Sequence, residues 1–312
     1  MFSALPKAVF SGLAASGYLK QLASRYGMRS SESFARRFVA GENTEDAIEA
    51  ARQLEQTGMM TTLDLLGESV RTSKEAADAT AAYLGLMKAI AGAGVSRNIS
   101  VKLTQLGMDV DHATVLDNIR RVLEIGDREK FFIRIDMESS KYTDPTLELF
   151  KTVWDYGHRN VGVVVQSYLR RSEADVRRLN AMGARVRLVK GAYLESPQAA
   201  FQQKSAVDAA FIDLMKTLLT EGTYPAIATH DPAMIEATTK FAAQQGIAKE
   251  AFEFQMLYGI RRDLQAALTG EGYRFRVYVP YGVEWFPYFM RRLGERPANI
   301  GFVVRSVLRE NQ

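Results

Sequence analysis

The chain contains no cysteine. Disulfides, thiolate nucleophiles and cysteine-held metals or iron–sulfur clusters are therefore excluded, and a reducing, cytoplasmic setting is expected. Histidine is nearly as scarce, with three in 312 residues. No second histidine or carboxylate group at metal spacing joins His230, so no metal centre is expected. Neither sign of charge dominates. Forty Lys and Arg against 36 Asp and Glu leave +4, spread along the chain, which gives no footprint for nucleic acid. No uncharged stretch reaches the length of a membrane span. The opening stretch, MFSALPKAVFSGLAASGYLKQLASRYGM, carries Lys7, Lys20 and Arg25 and reads as an amphipathic helix rather than an export signal. Any membrane contact would be peripheral.

Nucleotide-binding turns are missing as well. No G-x-G-x-x-G follows a strand pattern, and the segment from Gly12 to Gly17 lacks the Lys-Ser/Thr of a phosphate loop. A bound nucleotide would need some other kind of site.

What is present is a regular alternation of short apolar runs and helical stretches, in a chain that is 47% hydrophobic. The runs begin at Met59 (MMTTLDLLG), Asn98 (NISVKLTQLG), Phe131 (FFIRIDME), Val161 (VGVVVQSYL), Arg185 (RVRLVKGAY), Pro225 (PAIATH), Phe252 (FEFQML) and Arg274 (RFRVYVPYG). Many are apolar on both faces, as parallel strands covered by helices should be. Helix punctuation lies between them. Thr72 with Glu75 makes a capping-box pattern, as does Ser172 with Asp175. Asp144-Pro145 and Asp231-Pro232 each place an N-cap before proline at the first helical position. Gly58 and Gly183 sit where helices should stop. The fold class is therefore α/β, with a (β/α)8 TIM barrel over residues 58–312 and an N-terminal helical segment, residues 1–57, packed outside it. A doubly wound open sheet is the competing arrangement.

In a barrel the working residues gather at the C-terminal ends of the strands. Polar residues are concentrated there: Lys102 in the second strand, Arg134, Asp136 and Glu138 in the third, and Gln166 in the fourth. Arg187 and Lys190 lie in the fifth, Thr229 and His230 end the sixth, and Tyr278 is in the eighth. Charge inside a parallel strand is costly unless paired, so such a cluster marks either a site for an anionic polar ligand or a structural ion-pair layer. By alternation, Arg187 and Lys190 fall on opposite faces unless the strand has ended between them. After the last strand, Pro287 sets a helix start near Glu284, with Tyr288, Arg291, Arg292 and Glu295 on the following turns. A pair of guanidinium groups at a barrel mouth suits a planar carboxylate. Trp154 and Trp285 read as packing residues.

The motifs RIDMES, VQSYLRR, RLVKGAY, ATHD, FEFQMLYG, RVYVPYG and YFMRRLGERPAN occur in that order, and with them the chain resembles the proline dehydrogenase family. The length resembles the short, monofunctional bacterial members. The resemblance implies FAD at the mouth of a distorted (β/α)8 barrel, with Arg134, Met137, Gln166, Arg187, Lys190, Gly191, Ala192, Thr229 and His230 at the cofactor. Arg187 would lie near flavin N5, and Arg134 and Lys190 would offset phosphate charge. Lys102, Asp136, Tyr278, Arg291 and Arg292 match the family's substrate positions, and Leu257 would help shape the pocket. The implied reaction is oxidation of L-proline to Δ1-pyrroline-5-carboxylate, with Asp136 and Arg187 as catalytic groups and a quinone-type acceptor at the membrane.

Two other readings stay open. Lys102 or Lys190 could be a Schiff-base nucleophile of an aldolase, with Asp136 and Tyr278 moving protons. The same arginines could also serve a barrel that binds a carboxylate without turning it over.

Overall fold

The computed structural model describes residues 34–67 and 69–295, with side chains described as far as Arg292. The N-terminal amphipathic stretch, the Glu295 side chain and the end of the YFMRRLGERPAN motif lie outside them.

Eight strands form one closed barrel: β1 (Met60–Leu65), β2 (Asn98–Val101), β3 (Phe132–Ile135), β4 (Val161–Gln166), β5 (Arg185–Val189), β6 (Ala226–Ala228), β7 (Glu253–Leu257) and β8 (Arg274–Tyr281). Each pairs in parallel with the next, and β8 returns to β1 in the register Met60↔Arg276 to Leu65↔Tyr281. Closure rules out the open-sheet arrangement. All six residues of β4 are buried, because helices cover its outer face and side chains fill the barrel within.

The helices are α1 (Thr44–Glu55), α2 (Ser73–Ala93), α3 (His112–Glu129), α4 (Thr143–Asp155), α5 (Ser172–Ala181), α6 (Lys204–Glu221), α7 (Pro232–Gln244), α8 (Arg262–Gly270) and α9 (Trp285–Glu295). Thr72 and Glu75 close the expected capping box on α2, and Asp231 caps α7 with Pro232 behind it. Two starts differ from the sequence reading. Ser172 is not a cap: α5 begins at Ser172 itself, whose hydroxyl donates to the Gln166 carbonyl at 2.6 Å. Nor does Asp144 cap α4, which starts one residue earlier, leaving Pro145 within the first turn, where its missing N–H costs nothing.

The distortion of the barrel lies at its seam. α1 packs outside β1 and β8, in the place a helix following β8 would take. The last helix is elsewhere. Gly282, at φ +123°, turns the chain inward, and its N–H donates to Gly41 O at 2.9 Å. α9 then crosses the mouth, burying Trp285, Phe286, Phe289 and Met290 against Ala35, Phe38, Val39 and Leu66. Trp285 Nε1 donates to Glu42 Oε1 at 2.9 Å. Trp285 is thus a packing residue that also anchors α9, and Trp154 packs on the barrel's outer core.

The strands are shorter than their apolar runs. β2, β3, β5 and β6 stop at Val101, Ile135, Val189 and Ala228, so Lys102, Asp136, Lys190 and Thr229 are each the first residue beyond a strand. Lys102, Asp136, Glu138 and Lys190 therefore sit at the mouth rather than within strands. Because β5 has ended, Arg187 and Lys190 both reach the same side.

Candidate active site

A cavity of about 810 Å³ opens at the C-terminal ends of the strands, with α9 as one wall. Its lining brings together Lys102, Asp136, Met137, Gln166, Arg187, Lys190, Gly191, Ala192, Thr229, His230, Leu257, Tyr278, Arg291 and Arg292. Every site residue read from the sequence is there except one.

The floor is an ionic network. Arg187 Nη1 donates to Asp136 Oδ1 at 2.7 Å, and Arg187 Nη2 donates to Ser100 Oγ at 3.1 Å. The other Asp136 oxygen accepts from the Tyr278 hydroxyl at 2.7 Å. Lys102 Nζ donates to Asp64 Oδ1 at 2.9 Å and stands 3.9 Å from Asp136 Oδ2. Burial disfavours the Lys102 ammonium, but Asp64 and then Asp136 outweigh it and hold its pKa above the ordinary lysine value. Burial raises the Asp64 carboxyl, with Lys102 pulling the other way. Burial and the neighbouring Asp136 also keep the Tyr278 phenol protonated well above its usual range.

A second network closes the rim. Lys190 Nζ donates to Asp208 Oδ1 at 2.5 Å and Asp231 Oδ2 at 2.7 Å, and Lys204 pairs with the same two carboxylates. Burial works against the charge of Asp208 and Asp231, yet Lys190 leads the interactions that hold both below the ordinary carboxylate value. The Leu257 N–H donates to His230 Nε2 at 2.9 Å, which leaves the neutral ring's proton on Nδ1. Gln166 Nε2 donates to Glu138 O at 2.8 Å. Gly191 has φ +115°, and a Cβ there would come within 2.4 Å of the Tyr168 ring, so only glycine fits this turn.

Both lysines are engaged by carboxylates, Lys102 by Asp64 and Lys190 by Asp208 and Asp231, an arrangement that does not favour the Schiff-base reading.

Arg134 is the exception, and its expected place at the cofactor is corrected. Its Nη1 donates to Val163 O at 3.2 Å and Arg185 O at 2.5 Å, turning the guanidinium towards the start of β5, away from the mouth. The guanidinium stacks 4.8 Å from the Phe132 ring centroid. Burial, and then repulsion from Arg187, push its pKa well below the arginine value. Arg134 is thus held below the cavity by backbone carbonyls and an aromatic ring, whereas Asp136 and Arg187 face the cavity.

A family profile described as proline dehydrogenase matches residues 47–305. The chain belongs to the proline dehydrogenase family. It is 39% identical to proline dehydrogenase 2 of Bacillus subtilis over 96% of this chain and 97% of that enzyme. It is 43% identical to the proline dehydrogenase of Deinococcus radiodurans over 89% of this chain and 91% of the relative. Among solved structures, proline utilization A of Bdellovibrio bacteriovorus, inactivated by N-propargylglycine, superposes with a TM-score of 0.77 at 30% identity. That match covers 83% of this chain and 32% of the longer protein. The superposition agrees with the eight-stranded barrel, and the family match agrees with the resemblance read from the motifs.

Several residues in or beside the cavity escaped the sequence reading. Asp64 was legible by the argument used for Lys102, since it is a lone carboxylate in an apolar and threonine strand. Asp231 was read only as a helix cap, and it is both a cap and an ion-pair partner. Asp208 lies in the second turn of α6 and gives no local signal of its pairing.

Proposed function

We propose that the cavity holds FAD together with L-proline, and that the chain oxidises L-proline to Δ1-pyrroline-5-carboxylate, the first step of proline breakdown. The observation that carries this is the meeting of Lys102, Arg187, Arg291 and Arg292, contributed by β5, the end of β2 and α9, around one cavity. Family membership narrows the carboxylate they recognise to that of proline.

The residues present suit the cofactor. About 810 Å³ falls within the range of roughly 300–1,000 Å³ common for cofactor sites. Arg187 Nε is buried without a hydrogen-bond partner among the described residues, a cationic donor suited to a ring nitrogen of the flavin. Met137, Gln166, Thr229 and His230 would hold the ring and its side chain. Lys190, Gly191 and Ala192 would hold the phosphate end, with Lys204 beside them.

When bound, the flavin supplies a two-electron acceptor for the hydride that leaves C5 of proline. The chain supplies position. Lys102, Arg291 and Arg292 clamp the carboxylate, which fixes where the ring lies. Tyr278 and Leu257 bound the ring. Asp136 spends both oxygens on Arg187 and Tyr278, so its part is to hold the cofactor-side cation and the substrate-side phenol in register. Resemblance to the family supports a quinone-type acceptor, reached by transient contact with the membrane from the cytoplasm. Among the described residues no helix is long and apolar enough to cross a membrane.

The test is turnover of L-proline with an artificial dye acceptor, the product being trapped as its cyclic imine. Proline-dependent dye reduction with stoichiometric imine is expected. Flavin-loaded protein that reduces no dye would overturn the assignment.

A further inference from the structure

Asp64 is the penultimate residue of β1 and has no exposed surface, so it is a carboxylate placed wholly inside the barrel. Such a group is retained only against a specific partner. Its partner is Lys102, 2.9 Å away. Asp136 cannot take its place. Its carboxylate oxygens are engaged at 2.7 Å by Arg187 and by Tyr278, and it stands 3.9 Å from the ammonium. Among the described residues Asp64 is therefore the one carboxylate within hydrogen-bond distance of Lys102.

We infer that Asp64 is a positioning residue for substrate recognition: it keeps the Lys102 ammonium charged and aimed into the cavity, so that the carboxylate clamp works at every pH the enzyme meets. The inference rests on the proposed proline site and adds to it a residue on β1. Lys102 is faced by Asp64 from β1, Tyr83 from α2, Asp136 beyond β3 and Tyr278 from β8. The exposed Glu284 and the half-buried Arg291 border a small neighbouring cavity that Lys102 also lines. Without the Asp64 charge, burial acts on Lys102 against only a distant, committed carboxylate. A buried lysine so placed loses its proton several pH units early. The clamp would then lose one cation as the pH rises.

The probe is cyclopentanecarboxylate, which has the ring and the carboxylate of proline but no titrating nitrogen. Its inhibition constant against proline should be flat from about pH 6 to about pH 9 for the unmodified enzyme, where only the lysine charge could change. For Asp64→Asn it should weaken about tenfold or more across that window, and Asp64→Glu should restore the flat profile. The double variant Asp64→Asn, Lys102→Met removes both charges and should bind weakly but without pH dependence. If Asp64→Asn is too unstable at neutral pH for inhibition to be read, its melting temperature should rise with pH while that of the double variant does not. Flat inhibition by Asp64→Asn, or a melting temperature that ignores pH, overturns the inference and leaves the proline site standing. An unmodified enzyme that binds neither proline nor the probe overturns the site itself.

Discussion

Arg187 donates to Asp136 at 2.7 Å, joining two residues 51 apart in sequence at the floor of one cavity. Asp136 also takes the Tyr278 hydroxyl, so one carboxylate fixes a group on each side of the proposed reaction plane. Asp136→Asn leaves the Arg187 charge buried without its anion. Truncating one partner of such a pair costs about 2–5 kcal/mol, so kcat/KM for proline should fall roughly thirtyfold to a few thousandfold. Steady-state kinetics check this, and an unchanged kcat/KM would remove Asp136 from the alignment role.

Arg292→Met keeps most of the side chain's volume and deletes the charge from the wall formed by α9. KM for proline should rise by orders of magnitude while the flavin-to-protein ratio stays normal, because the arginine is assigned to substrate alone. A loss on the order of 2–5 kcal/mol sets that scale. A KM near that of the unmodified enzyme would refute the carboxylate clamp.

Gly191→Ala places a Cβ about 2.4 Å from the Tyr168 ring in a backbone conformation, φ +115°, that alanine resists. The strain should amount to about 1–3 kcal/mol and fall on the loop assigned to the phosphate end. Lower flavin occupancy after purification is expected, with a smaller effect on KM. Normal occupancy, read from the ratio of visible to ultraviolet absorbance, would contradict the assignment of that loop.

The barrel was legible because most strands announce themselves as short apolar runs, many of them β-branched and apolar on both faces. Strand ends were less so. The runs continue past the last ladder hydrogen bond, and nothing local says that pairing stops at Val101 or Val189. The helix α9 could be placed after the last strand but not across the mouth. That position depends on the turn at Gly282 and on the distant residues Phe38 and Val39 that cover its apolar face. Arg134 was misplaced for a related reason. Alternation puts it on the same face as Asp136, but not at the same height along the barrel, and its length lets it reach down to Arg185 O.

Below the cavity, Arg276 Nε donates to Glu253 Oε1 at 2.9 Å inside the barrel. Burial alone would raise the Glu253 pKa, but Arg276 outweighs it and holds it below the ordinary value of 4.5. A depressed folded pKa means that this pair stabilises fully above the unfolded value and that the contribution is lost as the pH falls through the folded one. Glu253→Gln should lower stability by about 3–5 kcal/mol at neutral pH and flatten the loss of stability on the acid side. Melting temperatures across pH decide it, and parallel curves would contradict the pairing.

The most direct measurement is the absorption spectrum of the purified enzyme before and after anaerobic addition of L-proline. Oxidised-flavin bands that bleach with proline are expected, joining cofactor, substrate and reaction in one observation. A protein that stays colourless after reconstitution with FAD, or whose bands ignore proline, would contradict the assignment of the cavity.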